Sequence, residues 1–387
     1  MSIDRREFIV GTSAVLAAAA ALPAFAFAGK ISRKPMRILY LGGTGFLGPH
    51  MVTDALAKGH HVTLFNRGRS NPHLFPEVEK LEGDRYGDIS ALEGKTWDVV
   101  IDTFTYTPDT VGRTAELLKN SVGQYIVVST VSVYRDYGTP GMDEDAPLAE
   151  IPDDVAAAIP THREVGQHYG AMKARCEKRV AEIMPGRTCV VRPGLIVGRG
   201  DDTDRFTYWP ARVARGGEVL APGESGHFTQ SIDVRDLAVF INHCAEAQLM
   251  DTFNADSPAA ERTMGQLLET SRDVSGSNAT FTWADAEFLA ANGVGAWSHM
   301  PCWVPPAGNY AGFGQVSTKR AMAAGLKVRP LADTVGDTLA WLAEVPEREE
   351  ERSAAEARRE RLKTAPRAGL TPEREAEVLK AWHAREG

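Results

Sequence analysis

A chain of 387 residues, 43% hydrophobic and 24% charged, is long enough to bury a large core in one α/β domain or two intimately connected ones. Its formal net charge of −8 argues against a dominant nucleic-acid-binding surface, so no nucleic-acid partner is expected. The four cysteines (Cys176, Cys189, Cys244 and Cys302) show no CxxC spacing, which indicates neither a disulfide framework nor a zinc site; buried thiols and no metal are expected.

In chain order, Arg5 and Arg6 precede Phe8-Ile9-Val10, an alanine-rich run, Pro23 and the small residues of Ala26-Phe27-Ala28. A positive start, an apolar middle and a small-residue cleavage site are the parts of a secretory signal, here over residues 1–28. The adjacent arginines resemble a twin-arginine signal, which implies the export machinery as a partner and a periplasmic location. Residues 8–28 are long enough to cross a bilayer with slight tilt, so an uncleaved membrane anchor is the alternative. Weakly hydrophobic alanine and the late proline favour cleavage, after which no membrane contact is expected.

From Met36 onward short apolar runs alternate with amphipathic stretches. "RILYLG", "HVTLFNRG", "WDVVIDTF", "QYIVVSTVSVY" and "RTCVVRPGLIVG" read as strands. "FLGPHMVTDALAKG", "DTVGRTAELLKN" and "THREVGQHYGAMKARCEKRVAEIM" read as helices. The alternation predicts an α/β fold: a Rossmann-type doubly wound parallel sheet over residues 36–198, with elements returning from about 228–256. An acidic, proline-containing connection between residues 135 and 160 is expected near the site. Residues 199–346, with shorter strands and helices, are expected to form a smaller C-terminal substrate lobe. Residues 347–387 read as a charged, solvated helical arm in which Pro372 follows Thr371 as N1 follows N-cap.

Gly42-Gly43-Thr44-Gly45-Phe46-Leu47-Gly48 follows the first strand and opens a helix. In that setting glycines permit a tight turn, close approach of a pyrophosphate to the backbone, and close helix–strand packing. The helix N-terminus adds free N–H groups and a positive dipole end. The turn thus predicts a bound dinucleotide held by Gly42, Gly45, Phe46, Leu47 and Gly48. At the end of the second strand stands Asn66, where an acidic residue would hold ribose hydroxyls; Arg67 and Arg69 can pair with a 2′-phosphate, leaning the reading from NAD toward NADP. Asp84 is a candidate partner for the adenine amino group.

"HYGAMKARCE" places Tyr169 and Lys173 four residues apart on one helix face. A phenol with a pKa of about 10 is a poor base at neutral pH. A neighbouring ammonium and a positively charged nicotinamide ring both stabilise phenolate, and the lysine can also hold the nicotinamide ribose. A hydroxyl from "VVSTVSVY" would fix the substrate oxygen beside Tyr169: Thr130 first, with Ser129 and Ser132 as candidates.

Together "GGTGFLG", "STVSVY", "YGAMKARCE", "RPGLIVGRGD" and "QSIDVRDLA", spanning roughly residues 36–240, resemble the extended or atypical short-chain dehydrogenase/reductase superfamily, of the NAD-dependent epimerase/dehydratase type. The resemblance implies a catalytic set of Thr130, Tyr169 and Lys173, backbone around Pro193 and Leu195 at the nicotinamide amide, and substrate in the C-terminal lobe. Members acting on nucleotide sugars often carry an arginine before the "xxIxVxD" strand; here "HFTQSIDVRD" has Thr229 and Gln230, which weakens a nucleotide-sugar reading. Arg205, Tyr208 and Trp209 are expected to line the substrate cavity with Ser132, although the two aromatics equally suit the core of the lobe. The expected activity is epimerase/dehydratase-type chemistry by transient hydride transfer on a hydroxyl or carbonyl substrate, a sugar or sugar derivative. The alternatives are a net NAD(P)H-dependent reductase or dehydrogenase and a non-catalytic binding protein on the same fold. Export favours a tightly bound cofactor regenerated at each turnover, because free nicotinamide cofactor is not generally supplied outside the cytoplasm. A homo-oligomer stays open.

Overall fold

The computed structural model describes residues 34–385; the expected signal at residues 1–28 lies outside the described residues. Eleven strands and twelve α-helices follow one another in the order β1 (Arg37–Leu41), α1 (Gly48–Ala57), β2 (His61–Asn66), β3 (Glu79–Glu82), β4 (Trp97–Asp102), α2 (Pro108–Leu118), β5 (Val122–Val128), α3 (Asp153–Ala157), α4 (Tyr169–Ile183), β6 (Thr188–Pro193), β7 (Ile196–Val197), α5 (Tyr208–Ala214), β8 (Glu218–Pro222), β9 (Ile232–Asp233), α6 (Val234–Glu246), β10 (Thr252–Ala255), α7 (Met264–Ser275), β11 (Thr280–Ala284), α8 (Ala286–Ala291), α9 (Lys319–Ala323), α10 (Leu331–Ala343), α11 (Glu349–Thr364) and α12 (Pro372–His383).

The seven-stranded sheet runs β10-β6-β5-β4-β1-β2-β3, and every pairing in it is parallel. Its central strands are apolar on both faces, as strands covered by helices on both sides must be. Ile38 and Tyr40 of β1 face a core shared with α1 and α6, whereas Leu39 and Leu41 face one shared with α2 and α4. The strand order reverses between β1 and β4, and in open parallel sheets ligands bind in the crevice at that point.

The smaller lobe has its own core, built from α5, β8, α7, α8 and the C-terminal residues Leu370, Val378 and Leu379. The C-terminal stretch is therefore not the solvated arm expected from its charge. Ala355 and Leu362 of α11 are also buried, and Glu375 of α12 pairs with Arg212 of α5 at 2.5 Å while accepting the Leu220 N–H at 3.0 Å. The start of α12 is as expected, with the Thr371 hydroxyl accepting the Arg374 N–H ahead of the first turn.

One predicted helix is shorter than its sequence suggests. "THREVGQH" is a loop ending in a single 3₁₀ turn, and α4 begins at Tyr169. The loop is drawn to the sheet because the Tyr86 hydroxyl accepts the His162 N–H at 2.6 Å and the two rings stack. Tyr169 consequently sits at the mouth of the crevice rather than mid-helix.

Candidate active site

A cavity of about 440 Å³ occupies the crevice at the C-terminal ends of β1 and β4. Gly42, Gly45, Phe46, Leu47, Gly48, Asn66, Arg67, Asp84, Tyr169, Lys173 and Pro193 all lie on its wall. The turn from β1 into α1 is tight enough that a Cβ on Gly48 would fall 2.4 Å from the Gly43 carbonyl carbon, so a side chain would fill the cradle. Asn66 ties the end of β2 to this turn: its amide donates to Gly42 O at 3.3 Å and accepts the Gly68 N–H at 2.8 Å. Arg67 and Arg69 line the cavity beside Asn66, and Asp84, also on the wall, accepts the Tyr86 N–H at 3.0 Å. The glycine cradle, the helix N-terminus and the two guanidinium groups suit a dinucleotide.

Beneath the groove lies a network the motifs did not disclose. Arg85 makes a two-pronged pair with Asp102, each arm at 2.9 Å, and Tyr125 donates to the same carboxylate at 2.6 Å. Burial opposes the Asp102 charge, yet Arg85 and these donors hold its pKa below the usual carboxylate value. Arg85 and Tyr86 stand in "LEGDRYGD", but nothing local says that both line the cavity or that Arg85 reaches the buried Asp102.

Tyr169 is brought to Thr130 by its neighbour. A Cβ on Gly170 would lie 1.9 Å from Ser132 O, so only glycine lets the start of α4 approach the turn after β5 this closely. Thr130 holds that turn, accepting the Ser132 N–H at 3.1 Å and donating to the Ser132 hydroxyl at 3.2 Å. Burial pushes the Tyr169 phenol up to about 12, with Tyr106 adding to the effect; the Thr130 hydrogen bond and the Arg205 charge pull the other way. Of the two other candidate hydroxyls, Ser132 stays with Thr130, whereas Ser129 donates to Glu177, which pairs with Arg192 at 2.7 Å.

Lys173 departs from expectation. It is only 3% exposed, and its ammonium donates to the Thr105 hydroxyl and, at 2.7 Å, to Val128 O. Burial lowers its pKa to about 8. In this arrangement the ammonium is committed to β5 and the loop after β4, and the phenol is not drawn down by it.

A second cavity, of about 780 Å³, opens on the other side of Tyr169, between the sheet and the smaller lobe. Thr130, Ser132, Tyr169, Pro193, Leu195 and Arg205 line it. Tyr208 and Trp209 do not, which corrects their expected place. They are 2% and 0% exposed, packed edge-to-face in the lobe's core, with the Trp209 indole donating to Pro301 O at 2.7 Å. The aromatic wall comes instead from Tyr137, Trp297, Tyr310 and Phe313, and Asp201 and Asp256 add carboxyl groups. Gln230 bonds Ser257 O, Val316 O and the Val316 N–H, and Thr229 donates to Cys302 O at 2.8 Å. Both therefore serve the lobe junction, where an arginine had been looked for.

No family model matches the chain. The epimerase family protein SDR39U1 of Bos taurus is 27% identical over 249 residues, covering 60% of this chain and 78% of that protein. A 3 beta-hydroxysteroid dehydrogenase/Delta 5-->4-isomerase of Mycobacterium tuberculosis is 28% identical over 193 residues, covering 43% and 49% of the two chains. Among solved structures, human SDR39U1 (isoform 2) with NADPH aligns with a TM-score of 0.53 at 20% identity, over 79% of this chain and 99% of that one. The UDP-Glc/GlcNAc 4-epimerase of Campylobacter jejuni aligns with a TM-score of 0.59 at 15% identity, over 79% and 98%. The chain has an α/β fold with a Rossmann-type seven-stranded parallel sheet, the fold of these epimerase structures.

Proposed function

We propose that the chain is an NAD(P)-dependent enzyme of epimerase/dehydratase type that acts on a hydroxyl or carbonyl group of a sugar or sugar derivative. The observation that carries the reading is the position of Tyr169, which lines both the groove beside the glycine turn and the larger cavity, with Thr130 on the wall of the latter. A nicotinamide dinucleotide, when bound, supplies reversible hydride acceptance. The glycine turn and the α1 N-terminus hold its pyrophosphate, and Arg67 and Arg69 hold a phosphate on its adenosine, which favours NADP. Among similar structures, human SDR39U1 holds NADPH whereas the UDP-glucuronic acid 4-epimerase of Bacillus cereus holds NAD, which supports a nicotinamide dinucleotide of either kind.

Within this scheme Thr130 fixes the substrate oxygen by hydrogen bonding and Tyr169 takes or returns the hydroxyl proton. A phenol held near 12 is a weak base, so proton transfer needs positive charge in the adjoining groove to stabilise phenolate. Lys173 keeps its proton at Nζ and braces the floor of that groove through Thr105 and Val128.

The paired arginines Arg5 and Arg6 support export of a folded, cofactor-loaded protein, and with it tight retention of the cofactor. Incubation with candidate sugars in deuterated water, with and without added NAD(P), tests the reaction. Stereochemical change without net cofactor turnover, with the transferred hydrogen kept on carbon, supports the epimerase-type reading; carbon-bound deuterium marks exchange of a C–H beside the transient carbonyl, as in dehydration, whereas stoichiometric cofactor consumption supports a reductase. Tyr169→Phe should abolish either activity and preserve cofactor binding; full turnover by that variant removes Tyr169 from the mechanism.

A further inference from the structure

The larger cavity contains a polar group that the protein itself leaves unanswered. Asp201 is 1% exposed and forms part of the cavity wall. One carboxylate oxygen accepts the Thr203 N–H at 2.9 Å and the Thr203 hydroxyl at 2.7 Å, while Oδ2 has no hydrogen-bond partner among the described residues. A buried acceptor without a donor is costly, and native proteins rarely keep one without a use. Asp256, 2% exposed, adds a second carboxyl group to the same wall. Its Oδ1 accepts the Ser257 N–H at 2.8 Å, and its Oδ2 lies where a Cβ on Gly194 would be, 1.6 Å from that ideal position. Glycine at 194 thus makes room for a carboxyl group at the ends of β6 and β10.

The rest of the wall suits the same kind of ligand. The Tyr137 and Tyr310 rings stack at 6.4 Å, and the Arg205 guanidinium lies 5.7 Å from the Trp297 centroid while its Nε donates to Thr203. Among the described residues of this wall Arg205 is the one cation against the two carboxyl groups of Asp201 and Asp256, so the wall offers a phosphate no net positive charge.

We propose that Asp201 and Asp256 are specificity-determining residues whose free carboxyl oxygens accept hydrogen bonds from an uncharged, polyhydroxylated ring, so that the substrate is a glycoside without phosphate groups. The inference rests on the proposed sugar chemistry and narrows it. Aromatic faces cover the apolar face of such a ring, and buried acceptors read its hydroxyls. A site built this way rejects ligands that leave its acceptors unpaired or bring negative charge against them. Burial raises the pKa of both carboxyl groups, that of Asp256 to about 7, as expected for acceptors awaiting a partner.

The test uses full-length protein with NADP⁺ and saturation-transfer NMR. The probes are the methyl pyranosides of glucose, galactose and mannose, set against UDP-glucose and glucose 1-phosphate. Binding of at least one glycoside in preference to both phosphates is expected. In Asp201→Asn the Thr203 N–H keeps the carbonyl oxygen, so an NH₂ replaces the free acceptor; affinity should fall by about tenfold or more. Because nothing in the protein depends on Oδ2, Asp201→Asn should melt no lower than wild type. Preference for a phosphate, binding of none of the glycosides, unchanged affinity in Asp201→Asn, or a fall in its melting temperature of several degrees would each overturn the proposal. NADPH titration by fluorescence separates the two levels: intact cofactor binding without glycoside binding sinks this inference alone, whereas loss of cofactor binding sinks the reading beneath it.

Discussion

Lys173 carries a pH signature that follows from its burial. Its pKa falls from 10.5 in an unfolded chain to about 8 in the native state, because the ammonium is enclosed between α4, β5 and the loop after β4. Below about pH 8 both states bind the proton, and the native state bears the full cost of a buried charge. Between about pH 8 and about pH 10.5 the unfolded chain still holds the proton and the native state has lost it, so stability rises with pH. At about 1.4 kcal/mol per unit, the rise attributable to Lys173 is about 3 kcal/mol. Lys173→Met removes the titrating group while keeping a similar length. It also removes the donor to the Thr105 hydroxyl and one of two donors to Val128 O, which still accepts the Thr105 hydroxyl at 2.7 Å, but that loss is constant with pH. Cys176, the neighbouring thiol, is pushed up to about 12 by burial and titrates above the window. Urea denaturation of cofactor-free wild type and Lys173→Met, in steps from about pH 7 to about pH 10.5, isolates the contribution. The wild-type advantage should grow by about 3 kcal/mol across that range. Parallel curves would refute the placement of a charged, enclosed lysine at this position.

Other consequences follow from single contacts. Gly170→Ala forces α4 away from Ser132 O, where a Cβ would lie at 1.9 Å, and a displacement of about 1 Å in Tyr169 should cost about a hundredfold in turnover. Cofactor affinity, measured by NADPH fluorescence, should change far less; equal losses in both would place Gly170 in general folding instead. Arg67→Ser should weaken NADPH binding by about tenfold and leave NADH binding nearly unchanged, and equal effects on the two would remove Arg67 from 2′-phosphate recognition. Glu375→Ala leaves the Arg212 guanidinium buried and unpaired, with an expected loss of about 3–5 kcal/mol in chemical denaturation. An unchanged midpoint would return α12 to the status of a solvated arm.

The parts of the molecule legible in the sequence are those governed by local chemistry. β1, β2, β4, β5 and β6 are apolar runs bounded by turns, and the glycine spacing after β1 has one steric meaning in a strand–turn–helix unit. The Tyr169–Lys173 spacing places both residues on one face of α4, although it does not say that the ammonium turns toward Thr105. What stayed hidden depends on partners distant in the chain. Trp209 is a core residue because Pro301 O, 92 residues away, accepts its indole N–H. Glu375 is buried because Arg212, 163 residues earlier, answers its charge; by composition alone its segment reads as a solvated face. Asp256 joins the cavity only because β10 lies beside β6 in the sheet, and no local pattern announces that neighbour.

The account centres on a nicotinamide dinucleotide held between the glycine turn and Tyr169. The most direct measurement is the nicotinamide dinucleotide content of the freshly purified protein, released by denaturation and quantified by absorbance and chromatography. About one NADP(H) or NAD(H) per chain is the predicted result. A content near zero, together with no binding of added NADPH or NADH, would contradict the central claim.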